Sequence, residues 1–168
     1  MNVTVKAKVS PEWEKAVQKI ASLGGVRGVK IGIVEKATNS HTGENIAFYA
    51  ACNEFGTNDI PARPFMRMTA EKHSHEWARL VRAVTKDKWV TNPNIARLAL
   101  ERVGDVGYRD MRAMILSNMP PPNAKPYAAW KAKKPGSEAG GYAGTLVYTG
   151  QMLQSVFFRV YGANERDD

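Results

Sequence analysis

Cysteine occurs once in this chain, at position 52, and histidine three times. A single thiol excludes an intrachain disulfide and any multi-cysteine metal cluster. Following Ala50 and Ala51 on a predicted helix, Cys52 reads as a small buried apolar residue. No apolar run reaches the length of a membrane span, and the opening Met1-Asn2-Val3-Thr4-Val5-Lys6 lacks the apolar centre of a signal peptide. The expectation is a protein that stays in the cytoplasm of the cell that makes it. Nucleophile elbows, His-Glu-x-x-His zinc motifs, phosphate-binding P-loops and dinucleotide glycine spacings are all missing. His73 and His75 stand two apart, which on a helix points them to different sides, whereas a zinc pair needs a spacing of three or four. No catalytic residue, metal ligand or cofactor is therefore expected. Glu54 has no partner acid or nucleophile near it in sequence, so it reads as a helix-end carboxylate bonded to backbone N–H groups or to Arg63 and not as a general base.

What is present is ordinary globular material. The 168 residues are 43% hydrophobic and 24% charged, enough to bury a core and most simply one domain over residues 1–168. Twenty-four basic against sixteen acidic side chains give a formal net charge of +8, compatible with contact to nucleic acid, a membrane surface or an acidic protein. The basic residues are scattered, with local density only near residues 79–88 and 125–134. No dedicated recognition helix emerges, and a generally solvated basic surface fits the pattern.

Along the chain, residues 3–9 alternate as a strand with one wet face. Ser10-Pro11-Glu12 then supplies an N-cap, a proline at the first helical position and an acid at the positive end of the dipole. Trp13, Ala16, Val17 and Ile20 fall at helical spacing up to Gly24-Gly25. Residues 29–34 read as a strand, 35–43 as a polar turn containing His41, and 44–54 as a helix burying Ile46, Ala47, Ala50 and Cys52. A long amphipathic helix over residues 65–88 carries Met68, Trp77, Leu80, Val81 and Val84. Thr91-Asn92-Pro93 caps a second, to about Asn118, with Leu100, Val103, Gly107, Met111, Met114 and Ile115 on its packing face. Thr149 to Ser155 reads as a short capped helical turn, residues 156–161 as a closing strand, and residues 162–168 as a solvated tail. Strands at the ends and helices between predict an α+β fold: a small, mostly antiparallel sheet packed by two long and two short helices.

The joint at residues 53–67 is written in residues with restricted backbones. Gly56 is placed to end a helix in the left-handed region. Pro61 and Pro64 hold the chain extended, and Pro64 can enter the first turn of the next helix. Phe55, Ile60, Phe65 and Met66 are expected to anchor this arch to the core, with Arg63 bonded inward to Glu54 or to carbonyls. The arch residues singled out are Glu54, Phe55, Gly56, Pro61, Arg63, Pro64 and Phe65. After Met119-Pro120-Pro121-Pro122-Asn123, residues 120–145 form a Pro/Gly/Lys-rich arm, read as mobile in the free subunit. Its Tyr127 and Trp130 are expected as interface anchors, with Lys125, Lys131, Lys133 and Lys134 meeting an acidic rim. The same interleaving of basic and aromatic residues is compatible with nucleic acid.

Asn53-Glu54-Phe55-Gly56-Thr57, then Ile60-Pro61-Ala62-Arg63-Pro64-Phe65-Met66-Arg67, the break at Pro120-Pro121-Pro122-Asn123, and Tyr148-Thr149-Gly150-Gln151-Met152-Leu153 before the closing strand together resemble the tail-completion and virion-morphogenesis proteins of long-tailed bacteriophages. The order and spacing match over roughly residues 29–161, and the arch is their specific part. The chain departs from the pattern at Pro126-Tyr127-Ala128-Ala129-Trp130-Lys131 and at Thr145. The resemblance implies a structural, non-enzymatic protein of the head-to-tail neck. Such a protein is assembled in the bacterial host cytoplasm, ends in the virion and works as a ring of identical subunits. Its partners would be other copies of itself and neck, connector or tail-tube proteins, with weak DNA contact and no membrane. A nucleic-acid-binding module acting during assembly is the alternative.

Overall fold

The computed structural model describes residues 8–22, 26–34, 36–40, 42–85, 93–133 and 144–162. The expected strand up to residue 7, the Gly24-Gly25 stop, His41, the Thr91-Asn92 cap, Lys134 and the tail from residue 163 lie outside them. Lys8 and Val9 are not in a strand. The described elements run α1 (Pro11–Ser22), β1 (Val26–Ile33), α2 (Ile46–Phe55), α3 (Phe65–Thr85), α4 (Pro93–Leu116), α5 (Lys125–Ala132), α6 (Gln151–Gln154) and β2 (Val156–Gly162). Strands β1 and β2 pair as a two-stranded antiparallel sheet, so the fold is α+β. The two long helices are α3 and α4, and α1 and α2 are shorter ones. Helix α5, inside the stretch read as an unstructured arm, is an addition to the expected set.

The chain divides into two compact units, each assembled from segments distant in sequence. One comprises residues 2–32, 67–110 and 157–168. Its core joins Ala16, Trp77, Val81, Ala96, Ala99, Leu100, Val103 and Val160, with Trp13, Val29 and Ile31 packed against them. These positions follow helical spacing on α3 and α4, so each helix presents one apolar stripe inward. Ser10 caps α1 as its sequence dictates, its Oγ accepting from the Trp13 N–H at 3.2 Å, while the Ser10 N–H donates to Ser74 Oγ at 3.2 Å. Trp77 donates from Nε1 to Asp110 Oδ2 at 2.8 Å, which satisfies the one polar atom of a buried indole. On α4, a Cβ at Gly104 would run into the Phe158 ring, so the missing side chain is what lets β2 approach the helix. Met68, expected on the buried face of α3, is exposed, and Ala78 and Thr69 are buried instead.

The other unit is built mainly from residues 33–66 and 111–156. Helix α6 packs on α2, and Ile46, Ala50, Phe65, Ile115, Val147 and Leu153 are among its buried residues. Asn45 caps α2, accepting at Oδ1 from the Phe48 N–H at 3.0 Å. The face that α2 buries is unusual for an apolar helix: Asn53 and Glu54 are inside, while Phe48 is 66% and Phe55 48% exposed. Phe55 is therefore not an anchor of the arch, contrary to the expectation from its position between Glu54 and Gly56. Phe48 and Phe55 stand seven residues apart and share one outward stripe, turned about a third of a circle from the carboxylate held inside.

Candidate partner-binding site

The arch is held by polar bonds from both ends. Helix α2 stops at Gly56, whose N–H reaches the Cys52 carbonyl at 2.9 Å and whose φ of 79° and ψ of 166° lie beyond the expected left-handed region, in territory essentially reserved for glycine. A Cβ there would meet the Ala62 nitrogen at 2.9 Å. The Thr57 hydroxyl accepts from the Ile60 N–H at 3.0 Å, and the Arg63 N–H returns to the Asn53 carbonyl at 2.6 Å. Pro64 sits one residue ahead of α3 and offers no side-chain oxygen to its first turn. Glu54 supplies that oxygen: its Oε2 accepts from the Met66 N–H at 2.8 Å. A carboxylate at a helix N-terminus is favoured by the exposed amides and by the dipole. Glu54 is fully buried, and this bond to a backbone amide is one of the two options its sequence position allowed.

Arg63 takes the carbonyl option and not Glu54. Its Nε donates to the Pro121 carbonyl at 2.8 Å, and one terminal nitrogen reaches the Pro122 carbonyl and Asn123 Oδ1, each at 3.3 Å. Prolines lack N–H groups and cannot join a ladder, so their carbonyls are open acceptors, and a guanidinium has the planar fork to take adjacent ones. Burial pushes the Arg63 pKa down, opposed by the nearby Tyr49 and Tyr127 side chains. Phe65, at the exit, is completely buried, as expected of an anchor.

Asn123 leads directly into α5, whose N-cap Ala124 offers no side-chain bond and whose second residue is Pro126. One ring contact within the helix and two contacts to residues 144–148 fix it. The Tyr127 and Trp130 rings stack at 5.6 Å, Trp130 meets the Tyr148 ring at 5.2 Å, and Lys131 Nζ donates to the Gly144 carbonyl at 2.5 Å. Tyr127 and Trp130 are still 40% and 44% exposed, and Lys125 and Lys133 are exposed. Burial raises the Tyr127 pKa, with Tyr49 and Tyr148 acting the same way and Arg63 opposing. Burial lowers that of Lys131, and the Arg63 charge adds to the effect.

Beside this stack lies a cavity of about 610 Å³. Tyr49, Tyr127 and Tyr148 line it together with the apolar Ile46, Leu146, Val147, Met152 and Leu153 and the polar Asn39, Thr42, Glu44, Asn45, Thr149 and Gln151. Several of the polar groups are already committed to the fold. Thr42 donates from its hydroxyl to Glu44 Oε2 at 3.2 Å, and Gln151 accepts the Ser40 N–H at 3.0 Å while donating to the Ser40 hydroxyl at 2.6 Å. Sequence reasoning marked Tyr127 but missed Tyr49, Tyr148 and the cavity, because nothing local ties three tyrosines spread over a hundred residues. It also missed the proline carbonyls as the acceptors for Arg63, although a run of three prolines is a visible set of open acceptors.

Among the described residues no three His, Cys, Asp or Glu side chains gather to hold a metal ion, and no helix is long and apolar enough to cross a membrane. His73 lies 3.6 Å from Asp110 and stacks on Trp77, and His75 lies 3.4 Å from Glu12. Comparison of the chain with protein families, curated proteins and solved structures returned no match.

Proposed function

We propose that the protein is a structural component of the head-to-tail neck of a long-tailed bacteriophage, completing the tail or joining it to the head-side connector. It would do so as an oligomeric ring in the virion, contacting neck, connector or tail-tube proteins. The reading rests on the likeness of residues 53–67, 120–123 and 148–153 to the tail-completion proteins. One observation supports it above the others: Arg63 of the arch bonds to Pro121, Pro122 and Asn123, so two of the stretches that carry the likeness form one braced element. An element held by carbonyl acceptors and a buried carboxylate is suited to bearing load at a fixed geometry. The aromatic and basic surface of α5 is the contact region that such a component would present.

Electron micrographs of particles produced without this protein test the reading. Free heads beside free tails are expected, and complete joined particles would overturn it. Binding to double-stranded DNA separates the nucleic-acid alternative. Weak, sequence-indifferent binding that falls with log salt and vanishes near physiological salt fits the assembly role. Tight binding under those conditions would favour the alternative.

A further inference from the structure

The outer side of α2 carries a pattern that the arch does not use. Of the residues from Ile46 to Phe55 only Glu54 is charged, and it is buried with Ile46, Ala50 and Asn53. At about 100° per residue, Phe48, Ala51, Cys52 and Phe55 fall within one arc about 100° wide. The two phenylalanines are exposed, and Ala51 and Cys52 are half-buried. In size this arc is a palindrome: large at 48, small at 51 and 52, large at 55. Such an arc is complementary to a copy of itself turned antiparallel about a two-fold axis that passes between the levels of residues 51 and 52. Phe48 then faces Phe55 of the second copy and the reverse, while Ala51 meets Ala51 and Cys52 meets Cys52. Small side chains at the centre let the helix axes approach to about 9 Å. With Cα atoms on a radius of about 2.3 Å, the two Cys52 Cα atoms then stand about 6 Å apart, within disulfide reach.

We propose that two copies of this chain pair antiparallel through Phe48, Ala51, Cys52 and Phe55 of α2. Charge favours a second copy over other occupants. The arc offers no charged side chain to an acidic or basic partner and no cation to a phosphate backbone, whereas a second copy brings the same uncharged arc. Two chains of net charge +8 repel each other elsewhere, so pairing through this arc should strengthen as salt screens that repulsion. The rings of Phe48 and Phe55, 66% and 48% exposed, together offer about 200 Å² per copy. A stable interface takes about 800 Å² from each partner. The pair is therefore weak and reversible, formed by the free chain at high concentration. It goes beyond the neck reading and does not rest on it: a ring joins subunits head to tail, whereas a two-fold contact closes at two copies.

Sedimentation equilibrium of the full chain in reductant, over a range of concentrations and salt, tests the pairing. A monomer–dimer equilibrium that tightens with salt is expected. Phe48→Ser, altered at an exposed position, should weaken it by about tenfold or more with an unchanged melting transition. Ala51→Glu and Ala51→Lys should each weaken it alone, and an equal mixture of the two should pair again, because position 51 meets its own copy across the axis. Cys52 is the only cysteine, so copper-phenanthroline oxidation of the wild type should give a covalent dimer, formed about tenfold more slowly by Phe48→Ser. A chain that stays monomeric, association that weakens as salt rises, or a dimer indifferent to Phe48→Ser would overturn the proposal. So would cross-linking no faster in the wild type than in Phe48→Ser, or a mixture of folded Ala51 variants that pairs no better than its parts. If an Ala51 variant does not fold, Phe48→Ser and the Cys52 cross-link still decide. None of these measurements reads the joining of heads to tails, so the pairing and the neck assignment fail separately.

Discussion

Around Trp77 the chain buries carbon, and the indole N–H of Trp77 is met by Asp110. Around Arg63 it buries a guanidinium and a carboxylate, bonds both to backbone, and leaves Phe48 and Phe55 partly exposed. The first arrangement is what hydrophobic patterning produces, and it tolerates exchange of one apolar group for another of similar volume. The second depends on particular acceptors at particular places, because an unpaired buried charge costs far more than a lost contact. A protein that uses both has one region specified by volume and another specified by hydrogen-bond geometry. Substitutions should separate the two.

The largest effect is expected where the arch itself depends on volume. Phe65 is fully buried, so Phe65→Ala should cost about 3–5 kcal/mol, the range for emptying a buried phenylalanine site. Leu100→Ala in the Trp77 core should cost about 2–5 kcal/mol, and denaturant midpoints measure both. A loss below about 1 kcal/mol at Phe65 would mean that the arch has no dry anchor and that the comparison is drawn wrongly. Next comes Arg63→Met, which keeps the apolar stem but removes the bonds to the Pro121 and Pro122 carbonyls; about 1.5–3 kcal/mol is expected, as for hydrogen bonds to a charged group. Arg63→Lys should recover little of it, since one ammonium cannot reproduce the fork. Full recovery by lysine would mean that charge and not geometry specifies the arch.

Gly104→Ala asks the reverse question of the volume-specified region. The added methyl meets the Phe158 ring, and overpacking of this kind costs about 1–3 kcal/mol. If a second change, Phe158→Leu, restores the stability, the contact is one of volume alone.

Much of this was readable before the structure, and the parts that were not share a cause. The Ser10 cap, the apolar faces of α3 and α4, the closing strand and the burial of Phe65 follow from local chemistry and period. Arg63 was readable as an inward-bonding residue, but its partners lie 58 to 60 residues away, beyond any window of periodicity. Helix α5 was missed because it has no capping side chain, begins with a proline in its first turn and is surrounded by glycine, proline and lysine. What fixes it is a tyrosine stack and a lysine bond to distant residues. The burial of Glu54 beside an exposed Phe55 inverts the binary pattern, since α3 opens after a proline and needs a carboxylate from elsewhere. Tertiary demand overrode local preference there.

The smallest expected effect is the most informative about that inversion. Among the described residues Phe48 is the most exposed of the large apolar side chains, at 66%, and its backbone N–H, not its ring, makes the bond to the Asn45 cap. Phe48→Ser keeps that N–H and removes only a ring that is mostly in water. Stability should therefore change by no more than about 0.5 kcal/mol, as for surface positions generally. The same substitution should lower the tendency of the isolated chain to associate through the stripe that Phe48 shares with Phe55. Urea midpoints and sedimentation of the wild type and Phe48→Ser, run at matched concentrations, measure both quantities. A loss above about 1 kcal/mol would place the ring in a packed environment. In that event α2 would bury both of its faces, and the contrast between a carbon-filled region and a bond-specified one would no longer describe this chain.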